Sequence, residues 1–413
     1  MQQWVTALGF ALGIVLAATG WISWPMLLLA LVPGLVMLAL LFRDKGNPWV
    51  SLVWNAVIAG AIWGMARTQF HGSSGDGDSS WVTLTAQKAS GYAHDRLVQS
   101  GLGEEDVAVL NAMLLGNRKA LDYEQKQRFR GAGVQHLLAL SGLHLGIFIA
   151  LLSYVYLRRA RFSRWKWPAL GATLLLLWSY CLIAGMPQSL LRAMLMATLY
   201  YLSLFSQGKG NGSVNLANTL LIMLFIDPAA LFDVGTQLSF VAVTALIWLY
   251  PGLRNIVPVD VWDKTWLPGL GRRGWNLLMV SVAAWLGTLP LCLFYFHQFQ
   301  PWQPVVSVVL VPMTTLLLYG AFFLLLLCML GFWPLAQPFA SVVGWYMEME
   351  NAVLDGAAQL PCSTMVCNHI HIGHVILLYI IICILAMAIQ SSKKVLLLSF
   401  PAILVVFFLL FVI

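Results

Sequence analysis

The sequence predicts an all-α fold, a polytopic transmembrane helical bundle of about 11–13 spans with a short extracytoplasmic helical segment. Three observations carry this. Hydrophobic residues make up 60% of the chain and charged residues only 9%, with a mean hydropathy of +0.81. Soluble domains carry roughly 25% charged residues. Many apolar runs reach or approach the ~20 residues that a spanning helix needs. Those runs are continuous rather than alternating, which excludes a transmembrane β-barrel.

Taken in order, the spans fall near 4–22, 24–42, 48–66, 134–157, 167–184, 187–206, 213–226, 231–251, 274–298, 303–330, 335–356, 371–390 and 394–413. The first follows a start, Met1-Gln-Gln-Trp, without a positive n-region, so it reads as a retained span. The 213–226 span is short, and 335–356 carries Glu348 and Glu350 and could lie flat in the interface. With the N-terminus in the cytoplasm, fourteen Lys and Arg fall in inside loops and none in the short outside loops. That asymmetry fixes the orientation. Three regions result: N-terminal helices over 1–66, an extracytoplasmic piece over 67–133, and a membrane core over 134–413.

The piece 67–133 opens with a flexible linker, His71-Gly-Ser-Ser-Gly-Asp-Gly-Asp-Ser-Ser80. Helical patterns follow near 86–100, 104–115 and 122–131, punctuated by Gly101, Gly103 and Gly116. Asp122 is placed as an N-cap with Gln125 at the capping-box position.

Three polar insertions interrupt the apolar core, and intramembrane polar groups mark functional sites. The first is Gln135-His-Leu-Leu-Ala-Leu-Ser-Gly-Leu-His-Leu-Gly146. On a helix His136, Leu140 and His144 share a stripe with Ser141, while Gly142 and Gly146 let another helix approach. The second is Pro187-Gln-Ser-Leu-Leu-Arg192, with Ser189 one turn before Arg192. Arg192 lies roughly 8 Å along its span. It either snorkels to the headgroups or faces inward as a fixed cation suited to phosphate or carboxylate. In the third, Asp233-Val-Gly-Thr-Gln-Leu-Ser239, Asp233 can N-cap the span, while the Gln237 amide needs a partner and Ser239 follows Gly235 at i+4. By depth, the three insertions would form a polar funnel opening outward beneath the 67–133 helices.

Cys181, Cys292, Cys328 and Cys383 read as core residues; Cys362 and Cys367 share a loop and can pair if that loop is extracytoplasmic. Asn368-His-Ile-His-Ile-Gly-His374 has Gly373 where an H-x-H-x-D-H metal motif needs a carboxylate, and it abuts a span. No Walker A loop, G-x-S-x-G, H-E-x-x-H or CxxC motif is present. No catalytic residue, cofactor or metal site is assigned.

The run His136-Leu-Leu-Ala-Leu-Ser-Gly-Leu-His-Leu-Gly146 resembles the signature of the ComEC family of competence proteins. Met113-Leu-Leu-Gly-Asn-Arg118 with Gly131-Ala-Gly133 fits its lead-in. Arg192-Ala-Met-Leu-Met196, Asp233-x3-Gln237-Leu-Ser-Phe240 and, more weakly, Thr288-Leu-Pro-Leu with Val311-Pro312 follow in the right order. The resemblance implies a channel carrying single-stranded DNA across the bacterial cytoplasmic (inner) membrane during natural transformation, a transport protein rather than an enzyme. Ser141, His144, Arg192, Gln237 and Ser239 would line the DNA path, supported by Gln135, His136, Gly142, Gly146, Ser189 and Asp233. Implied partners are single-stranded DNA, membrane lipids, a DNA receptor outside, a cytoplasmic motor, single-strand-binding proteins and further copies of the chain. Two departures stand out: only the linker and a short Trp81-Val-Thr-Leu-Thr85 remnant replace an OB-like domain, and the C-terminal metallo-β-lactamase-like domain of many members is missing. Ser307 also stands where an Asn is expected. A transporter of another anionic substrate, a lipid or small metabolite, or a non-transporting envelope scaffold fits the same polar residues.

Overall fold

A computed structural model describes residues 2–18, 81–138, 166–207, 211–257, 268–367 and 370–390. The described residues divide into two compact units. One draws on Met1–Ser80, Arg159–Leu174 and Arg192–Phe240, the other on Trp81–Arg158, Leu175–Leu191 and Val241–Ile413. The units interleave along the chain.

In the first unit, α1 (Gln2–Ala18) packs against Gly212–Ile226, the seventh helix, α7. Ala7 and Ile14 of α1 are buried, as are Leu216, Ala217 and Leu224 of α7. Asn211 starts α7 by accepting from Val214 N at 3.3 Å. Asp227 ends it and caps the next turn, a 3-10 turn over Pro228–Leu231, by accepting from Ala229 N at 3.0 Å.

The second unit begins with α2 (Trp81–Gln99), α3 (Glu104–Leu115) and α4 (Tyr123–Gly131). These are the three helices expected at 86–100, 104–115 and 122–131. Trp81–Thr85 forms the start of α2. Asp122 and Gln125 form the expected capping box. A buried network ties α2 to α3: Asn111 Nδ2 donates to Ser90 O, and Ser90 Oγ donates to Asn111 Oδ1, both at 3.1 Å.

Helices α5 (Lys166–Ile183) and α6 (Gln188–Gln207) fall on the expected 167–184 and 187–206, whereas the expected 231–251 is divided between α8 (Val234–Trp248) and the short α9 (Tyr250–Arg254). Beyond them come α10 (Pro268–Phe296), α11 (Gln303–Met329), α12 (Trp333–Ala358) and α13 (Ile372–Gln390). Among the described residues two helices, Gly271–Phe296 and Gln303–Met329, are long and apolar enough to cross a membrane. Four shorter helices are also apolar: Trp167–Ile183, Gly212–Ile226, Val234–Trp248 and Ile372–Ala386. The expected spans 24–42, 48–66 and 394–413, and most of 134–157, lie outside the described residues.

Helix α12 buries one stripe, Ala336, Ala340, Val343, Met347, Glu350, Leu354 and Ala357. Its opposite face exposes Leu335, Val342 and Trp345. The stripe packs on α11, where Thr314 Oγ1 donates to Glu350 Oε1 at 2.6 Å. Helices α8 and α10 approach so closely that a Cβ at Gly287 would lie 2.5 Å from Ala245 Cβ. Between α10 and α11 the chain forms β1 (Gln298–Phe299), which pairs antiparallel with β2 (Met365–Val366). In that region Cys362 and Cys367 are both free thiols, the first exposed and the second buried.

Candidate functional site

The first polar site is built by α6 and the turn entering α8. Ala184–Pro187 forms the predicted turn, with Gly185 at φ 81° and Met186 at φ 51°. A Cβ on Gly185 would lie 2.9 Å from Ala86 Cβ, so glycine is required there by space as well as conformation. Pro187 accepts from Leu190 N and Leu191 N, which launches α6 and places Arg192 in its second turn. Ser189 sits in the first turn of the same helix.

Arg192 is 4% exposed, so it faces inward and does not snorkel. Its Nη1 donates to Thr236 Oγ1 at 3.0 Å and to Asp233 Oδ2 at 3.3 Å. Asp233 is the N-cap of α8: its Oδ2 accepts from Thr236 N at 2.7 Å and from Thr236 Oγ1 at 2.9 Å. The Thr236 hydroxyl thus donates to the acid and accepts from the arginine. Gly235 permits this closeness, because a Cβ there would stand 3.2 Å from both Arg192 Nη2 and Asp233 Oδ2. Arg192 Nε is buried without a hydrogen-bond partner among the described residues. Such an orphan donor on a buried cation is rare and points to a ligand or a water.

The other two residues of this insertion engage local backbone. Gln237 Nε2 donates to Leu231 O at 3.0 Å across the turn before α8, and Ser239 Oγ donates to Gly235 O at 2.8 Å. Ser141, Gly142, His144 and Gly146 lie outside the described residues. Gln135 and His136 open a 3-10 turn, Gln135–Leu138, so the expected helical stripe begins in non-α backbone.

That 3-10 turn borders a second polar site, a cavity of about 440 Å³. Its lining comes from Arg118, from Arg130, Gly133, Gln135 and His136 around the end of α4, from Trp285, Thr288, Leu289, Cys292 and Phe296 of α10, and from Gln298, Gln300 and Gln303. No carboxylate belongs to this lining. Gln300 frames it. Its Nε2 donates to Arg130 O at 3.0 Å, and its backbone oxygen accepts from Trp285 Nε1 at 3.1 Å. Gly133 has φ 76°, and a Cβ there would be 3.0 Å from Gln300 Oε1. The sequence reading missed Thr236, Arg118, Arg130 and the three glutamines of 298–303 as site residues. A signal existed in the clustering of Gln298, Gln300 and Gln303 between two long apolar runs.

The described residues define a helix-rich protein with two helices long and apolar enough to cross a membrane and a buried arginine paired with a half-exposed aspartate. The chain belongs to the competence protein family: the family profile described as Competence protein matches residues 113–392. It is similar to ComE operon protein 3 of Bacillus subtilis (strain 168), 30% identical over 293 residues, covering 71% of this chain and 35% of that protein. Competence protein ComA of Neisseria gonorrhoeae is 29% identical over 212 residues, 48% of this chain and 29% of that one. The uncharacterized protein YcaI of Escherichia coli (strain K12) is 27% identical over 214 residues, 50% of this chain and 27% of that protein. The chain therefore spans about a third of the length of these relatives or less. No solved structure matches it.

Proposed function

We propose that this chain is a multi-pass helical channel of the bacterial cytoplasmic membrane, N-terminus inside, that passes one strand of incoming DNA into the cell during natural transformation. The observation that carries the reading is the family match over 113–392, which takes in both polar sites. Membership of the competence protein family supports a role in DNA uptake. Passage of a single strand without regard to sequence needs cations that meet phosphate and wet polar surface, not base-specific hydrogen bonding. Among the described residues Arg118 and Arg130 are in no ion pair, and Arg192 supplies a fixed cation whose Nε has no hydrogen-bond partner there.

On this reading Ser141, His144, Arg192, Gln237 and Ser239 line the strand's path, with Gln135, His136, Gly142, Gly146, Ser189 and Asp233 in support. The chain works as a transport protein without covalent chemistry of its own. Lipid contacts its exposed apolar helix faces. A DNA receptor outside, a cytoplasmic motor and single-strand-binding proteins complete the route, and copies of the chain can associate.

The test is transformation by a strain whose only copy of the gene carries Arg192→Ala or His144→Ala. Both variants should transform less than wild type at equal protein levels. Wild-type transformation in both would remove the proposed path. Loss of DNA transformation alongside a salt-insensitive affinity for a small anion would favour a transporter of another anionic substrate, since DNA affinity falls steeply with salt.

A further inference from the structure

The cavity beside α4 and α10 carries two arginines on its lining. Arg128, on the same helix as Arg130, is tied to Glu124 at 3.3 Å and to Asp355 at 3.7 Å. Arg118 and Arg130 take part in no ion pair among the described residues. Arg118 and Arg130 on a lining without a carboxylate among the described residues leave a net positive site. A guanidinium presents a planar fork that fits phosphate oxygens in pairs.

The remaining lining adds a second kind of chemistry. Phe296 lines the cavity and is 51% exposed. An exposed phenyl ring on a lining that also carries arginines offers a stacking surface for a base. Gln298 and Gln303 add amides that can donate to or accept from a base edge. The volume, about 440 Å³, lies in the range of about 300–1,000 Å³ typical of small-ligand pockets. That suits one nucleotide unit and excludes a duplex. The frame is held from several sides, since Gln300 bonds the Arg130 carbonyl while its own carbonyl holds the Trp285 indole.

We propose that this cavity is a binding site for a single nucleotide unit, with its phosphate on Arg118 and Arg130 and its base on Phe296. The strand as macromolecular ligand rests on the function proposed above; the mononucleotide site stands on the lining alone. A strand threading past would be held one unit at a time.

Equilibrium dialysis of the full-length solubilised protein tests this with thymidine 5′-monophosphate, thymidine and inorganic phosphate as probes. The monophosphate should bind at least about tenfold more tightly than either fragment, because each fragment lacks one half of the contact. The Arg118→Ala/Arg130→Ala double variant should weaken monophosphate binding at least about tenfold. The Phe296→Ala variant should weaken it about fivefold or more and leave phosphate binding unchanged. Should the double alanine variant unfold, Arg118→Lys/Arg130→Lys decides, with charge kept, the fork lost and a smaller drop expected. Phosphate binding as tightly as the monophosphate would overturn the proposal, as would no binding at all, or wild-type binding in the folded arginine variants. Variants that lose nucleotide binding yet transform normally would uphold the site and refute strand passage through it.

Discussion

Arg192 and the pair Arg118–Arg130 are cations of opposite design. Arg192 is 4% exposed and sits against a carboxylate and a threonine hydroxyl. Arg118 and Arg130 line an open cavity with no acid on its wall. A buried cation without a partner costs several kcal/mol, so Arg192 needs Asp233 to be in place at all. A cation at a wet surface carries no such cost and keeps its charge for a ligand. The lesson is that depth alone does not mark the groups that meet substrate. The buried arginine has an acid partner, and Arg118 and Arg130, in no ion pair among the described residues, line the cavity.

The contrast can be broken in several ways. Asp233→Ala should have the largest effect on stability, about 3 kcal/mol, because it strands the Arg192 charge and also removes the cap of α8. The value sits at the low end for a buried pair because the Asp233 side chain is 51% exposed. Thermal unfolding of the solubilised protein would read it. An Arg192→Met/Asp233→Leu double variant should recover most of the loss in the same measurement. Gly133→Ala comes next, at about 2 kcal/mol, since it forces a Cβ into positive φ and against Gln300. It should disturb the cavity and leave the Arg192 site intact, seen as lost nucleotide binding with unchanged behaviour of the Asp233 variants on top of it. Thr236→Val should cost about 1 kcal/mol, the loss of one hydroxyl that serves both members of the pair. Arg118→Ala and Arg130→Ala should each change unfolding by no more than about 0.5 kcal/mol. They should nevertheless flatten the dependence of log K on log salt for single-stranded DNA by about 0.7 per arginine removed. Arg192→Ala should flatten that slope less, because Asp233 already offsets part of its charge.

Much of the helical layout was legible in the sequence because its signals are local. Asp122 and Gln125 announced α4, the glycines at 103 and 116 bounded α3 at Glu104–Leu115, and Pro187 marked the start of α6. Asp233 was readable as a cap, since N-capping depends on residues three positions apart. Its role as the partner of Arg192 was not readable, because the two lie 41 residues apart and only packing joins them. The sequence did carry one hint: a lone arginine and a lone aspartate in neighbouring apolar segments each needed a partner. The cavity escaped for a different reason. Its residues come from the end of α4, one face of α10 and the connection to α11, and no single periodicity links them. Gln237 and Ser239 were noticed as polar residues needing partners, and the structure gives them backbone carbonyls of their own segment.

The most direct test of the account follows labelled DNA carrying a selectable marker into a host with the gene deleted. Both DNase-resistant label outside the cytoplasm and recombinants would be scored. The account predicts label held outside with no recombinants, restored by the wild-type chain and not by the chain carrying Arg118→Ala/Arg130→Ala at equal protein levels. Unchanged recombinants in the deletion strain would contradict it.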